Sequence, residues 1–259
     1  MKHGCLAAGV IAGAFVLCAV SRASAAPLDV TLAVTVNGLT GQHQVGNGEA
    51  DHYSLLPLPL GELAIRSGAD SVRVEGLPPV TLAYSGTGEA LATRLSIVNA
   101  TVRHAFPGGW FVGAGQTVYN QTTQYVNGSN EVQASRVTGL RVEAGRTFGT
   151  AANRIEAFGA VNGRMRGVQY TTLDVPFRSC SFGGPPVCTT INLRRTFADP
   201  ENASQIDLTA RLAHRVSTRT ELLAGLRYLN YTAHYDAAPG VLADRNVGFA
   251  PSLGARVRI

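Results

Sequence analysis

The chain has 259 residues, 45% of them hydrophobic, 15% charged and 7% aromatic, with 22 basic against 17 acidic side chains. Lys2 and Arg22 fall in an N-terminal leader, which leaves 20 basic residues against 17 acidic ones beyond it. That excess is too small and too dispersed for a nucleic-acid reader, which needs a clustered basic face.

The leader begins with Lys2 and His3, continues through an apolar run from Leu6 to Val20, and ends at Ala23-Ser24-Ala25. A short positive start, an apolar middle and an A-x-A site predict a signal peptide over residues 1–25 and a mature domain over 26–259. Cys18 is preceded by Leu17, where a lipidation site has a small residue, so no lipid anchor is expected. Beyond the leader no uninterrupted apolar run reaches the length of a transmembrane helix.

Strand-like alternation then recurs along the chain. Val30, Leu32, Val34 and Val36 alternate with Asp29, Thr31, Ala33 and Thr35, which predicts a strand over 28–37. Residues 38–53 are polar and glycine-containing and read as a long loop. A second strand is expected over 58–66, and a third over 71–84 bent at Pro78-Pro79, with two short strands as the alternative. The fourth, over 92–106, changes parity between Ile97 and Val98, which suggests a bulge or a misread edge. Pro107-Gly108-Gly109 turns the chain into a fifth strand over 110–125. On the sixth, Leu140, Val142, Ala144 and Phe148 oppose Arg141 and Glu143. On the seventh, Ile155, Ala157, Val161 and Met165 oppose Arg154, Glu156, Asn162, Arg164 and Arg166. Residues 171–202 read as the longest irregular loop.

The clearest pattern is a hairpin turning at Ser217 to Thr220. Ile206, Leu208, Ala210 and Leu212 oppose Gln205, Asp207, Thr209 and Arg211, and the return strand carries Leu222, Leu226, Tyr228, Tyr231 and Tyr235. The tyrosines gather where an interfacial girdle would lie. A tenth strand runs from Val247 to Ile259. These strands are long compared with the usual length of about 5–6 residues and suit the ~9–11 residues that a tilted membrane-spanning strand needs. Short turns alternate with longer connections. The expectation is an all-β, antiparallel, up-and-down transmembrane β-barrel of about ten strands, with eight or twelve also compatible. A secreted soluble β-sandwich binding protein is the alternative, because alternation alone also describes two stacked sheets.

The polar faces place Arg73, Glu75, Arg141, Glu143, Arg154, Glu156, Arg164, Arg166, Asp207, Arg211, Arg215, Arg227, Arg256 and Arg258 inside the bore as a charge network. Such charges either satisfy one another, filling the lumen, or line a narrow, weakly anion-favouring pore. Cys180 and Cys188, the two cysteines beyond the leader, predict one disulfide in an exported chain. No histidine accompanies them, so neither a metal site nor any other cofactor is expected. Phe177, Phe182, Arg194, Arg195 and Phe197 form a candidate external patch for lipopolysaccharide phosphates or a partner surface.

The leader, the alternating strands and an apolar last residue, Ile259, give the chain a pattern that resembles small bacterial outer-membrane β-barrels of the OmpA or OmpW type. The resemblance implies a structural or narrow-pore, porin-like role in the outer membrane of a Gram-negative bacterium. It also implies contact with outer-membrane lipid and lipopolysaccharide, and recognition of the last strand by the barrel-assembly machinery. In that group the last strand usually ends in Phe, and Ile259 departs from it. A peptidoglycan-binding domain is not expected after the barrel. Omptin proteases resemble the chain in strand count and work with rim Asp and His residues. That likeness makes His234 and Asp236, with Asp51-His52, the alternative of a rim-located protease or lipid-modifying enzyme. The expectation here is no catalysis.

Overall fold

The computed structural model describes residues 27–45, 50–53, 57–83, 90–125, 131–181, 187–235 and 243–259. The expected signal peptide, Phe182 and Asp236 lie outside them. The described residues form twelve strands: β1 (Leu28–Gly38), β2 (Thr40–Val45), β3 (Ala50–Tyr53), β4 (Pro57–Ser67), β5 (Asp70–Ala83), β6 (Ala90–Ala105), β7 (Trp110–Tyr125), β8 (Val132–Gly149), β9 (Asn153–Ser181), β10 (Val187–Arg215), β11 (Thr220–Tyr235) and β12 (Ala243–Arg258). Apart from β2 and β3, each pairs with the next in an antiparallel ring, and β12 closes back on β1 through pairs such as Leu32↔Val257. The ring therefore has ten strands.

Period-two alternation sorts the side chains between the two walls. On β8, Leu140 is 62% exposed while its neighbour Arg141 is 2% exposed. Val34, Val142, Val161, Leu208, Leu226 and Leu253 share the outward, exposed wall. In a sandwich the aliphatics would be pooled between two sheets, so the sandwich alternative falls. Phe106, Trp110 and Phe148 lie exposed at the short-turn end of this belt. Aromatic residues are favoured at such a boundary because one end of the ring is apolar and the other wet.

Four expectations need correction. Within the expected loop over 38–53, residues 40–45 and 50–53 are strands. β12 holds β1 and β2 in one unbroken register, Asn37↔Ser252 and Thr40↔Phe249, and β3 folds back on β2. Residues 171–181 and 187–202 are likewise strands, and β9 and β10 pair without interruption from Val187↔Ser181 to Ala203↔Met165. β8 stops pairing at Thr172 and β11 at Glu201, so this hairpin rises free of the ring. A lone two-stranded ribbon is marginal in water. The Cys180–Cys188 disulfide joins directly opposed residues near its tip and staples it.

The third correction concerns β6, which keeps one parity through Ile97 and Val98, with Ile97 buried and Val98 exposed. Aliphatic residues change sides there because the outer half of the bore is itself apolar. The fourth concerns the tyrosines. Tyr231 points inward and stacks on Tyr119 with ring centroids 4.3 Å apart, while Tyr228 lies against Phe249. The bend at Pro78-Pro79 is present as a register shift between Leu77 and Val80. In the Pro107–Gly109 turn, Gly109 has φ 80°, and a Cβ there would meet the carbonyl oxygen of Thr147 at 2.0 Å. Only glycine fits.

Candidate functional site: a luminal ring of alternating charge

The middle of the bore is filled by ion pairs that close on themselves. Arg73 (β5) lies 2.8 Å from Glu62 (β4) and 2.7 Å from Glu75 (β5). Arg227 (β11) takes Glu75 at 2.8 Å and also binds Asp207 (β10). Arg141 (β8) links Asp207 at 3.0 Å to Glu143 at 3.3 Å. Arg103 (β6) joins Glu143 to Glu156 (β9), the latter at 3.1 Å. Arg211 (β10) joins Glu156 back to Glu62, at 2.7 Å. Five carboxylates and five guanidiniums thus alternate around a closed circuit. Arg256 (β12) braces it from the side, at 3.3 Å from Glu62 and 3.4 Å from Glu221.

Local sequence makes the circuit possible. Each long charged side chain sits on the inward parity of its strand, and Gly113 on β7 leaves room for it. A Cβ at Gly113 would lie 3.0 Å from the Cγ atoms of both Arg103 and Glu143. One guanidinium nitrogen of Arg103, Nη2, has no hydrogen-bond partner among the described residues, but the group lies over two rings. Its Cζ is 4.5 Å from the centre of Phe111 and 4.9 Å from that of Phe158, an arrangement that attracts a cation electrostatically. Buried charge costs free energy unless it is paired and hydrogen-bonded; every ring carboxylate is paired with at least two guanidiniums, whereas Arg73 Nε, Arg141 Nη1 and Arg211 Nε, like Arg103 Nη2, have no hydrogen-bond partner among the described residues.

Above the ring, toward the long connections, the bore turns apolar. Leu39, Leu58, Leu77, Leu95, Ile97, Val137 and Met165 are buried there together with Tyr119 and Tyr231. Glu201 is 2% exposed in this layer and accepts hydrogen bonds from Tyr231 Oη, at 2.9 Å, and from Ser135 Oγ. Below the ring, toward the short turns, the lumen opens into a bowl of about 450 Å³.

No family model and no curated protein sequence matches the chain. Among solved structures, the outer membrane protease OmpT from Escherichia coli superposes with a TM-score of 0.56 at 8% identity, over 89% of this chain and 97% of that one. The fold is that of an outer-membrane β-barrel. The β domain of the Bordetella autotransporter BrkA (TM-score 0.42, 12% identity, 87% of this chain and 98% of that one) also matches. So does the toluene transporter TodX of P. putida (TM-score 0.34, 8% identity, 93% and 92%). At these identities the likeness describes the fold alone.

The barrel places the sequence-derived network residues in three groups. Arg73, Glu75, Arg141, Glu143, Glu156, Asp207, Arg211 and Arg227 belong to the ring, and Arg256 braces it. Arg154, Arg215 and Arg258 sit lower, at the short-turn mouth. There Arg154 lies 2.6 Å from Glu221, Arg215 is 3.9 Å from the same carboxylate, and Arg258 pairs with Asp29. Arg164 and Arg166 are not luminal. β9 carries an irregularity beside Gly163 and Arg164, where pairing jumps from Gln205↔Asn162 to Ala203↔Met165. Arg164 has φ 51°, so it reverses the parity: Met165 turns inward and both arginines turn out. Glu62, Arg103 and Glu221 were missed, although Glu62 shares the inward parity of its strand with Leu58 and Leu60. Arg103 was hidden by the misplaced parity change at Ile97.

The external patch divides across the hairpin. Phe177, Arg195 and Phe197 share one face of the ribbon and Arg194 lies on the other, opposite Asp174, because strand neighbours alternate. His234 is exposed on the outward parity of β11, one residue from the buried Ala233. It therefore faces away from the mouth that a rim enzyme would use. Asp51 and His52 lie on β3, opposite His43 and Gln42.

Proposed function

We propose that the protein is a structural barrel of the bacterial outer membrane with a sealed bore, rather than a porin-like conduit. The closed circuit of alternating charge carries this reading, since its members come from seven of the ten ring strands and it sits beneath an apolar layer. Ions crossing such a bore would have to break several buried pairs at once, and each unpaired buried charge costs several kcal/mol, of order 3–5. The apolar outer belt supports residence in the membrane, with the short turns toward the periplasm and the stapled hairpin outside.

The wall also suits lipopolysaccharide. Arg136, Arg164 and Arg166 are exposed on the outward parity of adjacent strands, just beyond Leu140 and Val161. Guanidinium forks bind phosphates bidentately, and lipid phosphates lie at that level. The outward-facing Phe249, Leu253 and Val257 of β12 keep the last strand suited to the barrel-assembly machinery.

Planar-bilayer recording tests the sealed bore. Purified, folded protein is expected to stay silent at every voltage and salt concentration. Discrete conductance steps that scale with salt would overturn the reading.

A further inference from the structure

We infer that the bowl at the short-turn mouth is a binding site for a multivalent oxyanion, a phosphate- or carboxylate-bearing small molecule. The inference stands apart from the sealing of the bore above it, because it concerns only the open space below the ring. Its hollow is written in the sequence. One layer below the long ring side chains, the inward positions carry Thr31, Ala64, Ser71, Ala105, Thr147 and Ala213, all of which line the bowl. Small residues at one level on six strands leave a space of about 450 Å³ instead of a filled core.

The electrostatics of that space are one-sided. Its lining contains eight arginines against four carboxylates, Asp29, Glu62, Glu156 and Glu221. Each of the four is already engaged. Asp29 holds Arg258, Glu221 holds Arg154 and Arg256, and the other two belong to the ring. The cations are not all matched. Arg66 donates to the carbonyl of Gly68 at 2.9 Å, and neither it nor Arg219 has a carboxylate within ion-pair distance among the described residues. Arg215 reaches Glu221 only at 3.9 Å.

These three come from β4, β10 and the β10–β11 turn, so forks that are unmatched, or in Arg215 only loosely paired, ring the opening from separate elements. Convergent guanidiniums around a partly enclosed cavity hold planar oxyanions through paired N–H donors, and the low dielectric of the walls strengthens the attraction. A ligand with two or more oxyanion groups can engage several forks at once, which a chloride ion cannot.

The experiment is calorimetric titration of the detergent-solubilised full-length protein at constant ionic strength, with tripolyphosphate in one arm and citrate in the other. Saturable one-to-one binding of at least one probe is expected. Tripolyphosphate alone assigns a phosphate ligand, citrate alone a carboxylate one, and both together a site selecting charge. The double variant R66Q/R219Q touches no ring pair and should weaken binding at least tenfold with the same unfolding midpoint. The outer-wall variant R136Q/R166Q should bind as the parent does. Neither probe binding beyond a sodium chloride control would overturn the assignment. So would unchanged affinity in R66Q/R219Q, or loss of binding in R136Q/R166Q. None of these readouts depends on conductance, so failure here and failure of the sealed-bore reading are separable.

Discussion

The two halves of the bore are filled by opposite chemistries on the same strands. β5 contributes Arg73 and Glu75 to the charged ring and, two residues further, Leu77 to the apolar layer, while β6 contributes Arg103 below and Ile97 and Leu95 above. The charged half is held by partners fixed in space, so each member is needed by at least two others. The apolar half is held by area and shape, which a neighbour of similar volume can supply. Loss in the first is concentrated and in the second it is shared.

Substitutions can break this contrast in graded steps. Asp207→Asn should cost most, because Asp207 is fully buried between Arg141 and Arg227 and both guanidiniums would lose one of their two carboxylates. A loss of about 3–5 kcal/mol is expected in urea unfolding of protein refolded in micelles; a cost under about 1 kcal/mol would mean that loss in the ring is not concentrated as described. Gly113→Leu should come next, at about 1–3 kcal/mol, from overfilling the space beside Arg103 and Glu143. Ile97→Val, in the apolar half, should cost about 0.5–1.5 kcal/mol by the same unfolding curve. The smallest effect on the barrel should come from Cys180→Ser. The unfolding midpoint should stay put while limited proteolysis begins to cut the β9–β10 ribbon, since the disulfide braces only the part beyond the ring.

The lower half of the barrel was legible in the sequence because there the outer wall is aliphatic and the inner wall charged. Leu140 beside Arg141, or Leu208 beside Asp207, assigns a face unaided. The upper half was not, because Leu95 and Ile97 point inward and defeat a rule equating aliphatic with lipid-facing. The single extra residue near Arg164 left no compositional mark either, and it moved Arg164 and Arg166 to the wrong wall. The hairpin over 171–202 was read as a loop because its strands are rich in Thr, Arg and Pro. Above the membrane, pairing no longer demands one greasy face. Alternating charge identified most of the ring, but nothing in a linear pattern tells which arginine meets which carboxylate.

The wiring of the ring has a consequence for assembly. Glu62 is joined to Arg211, 149 positions away, and to Arg256, 194 positions away. A nascent sheet holding only the early strands would carry Glu62, Glu75 and Arg73 toward lipid with too few countercharges, and one holding only the late strands would strand Arg211 and Arg256. Partial insertion is thereby penalised from either end of the chain. The circuit closes only when strands from β4 through β11 stand in one cylinder, so its pairing is a property of the assembled wall and of no consecutive part of it.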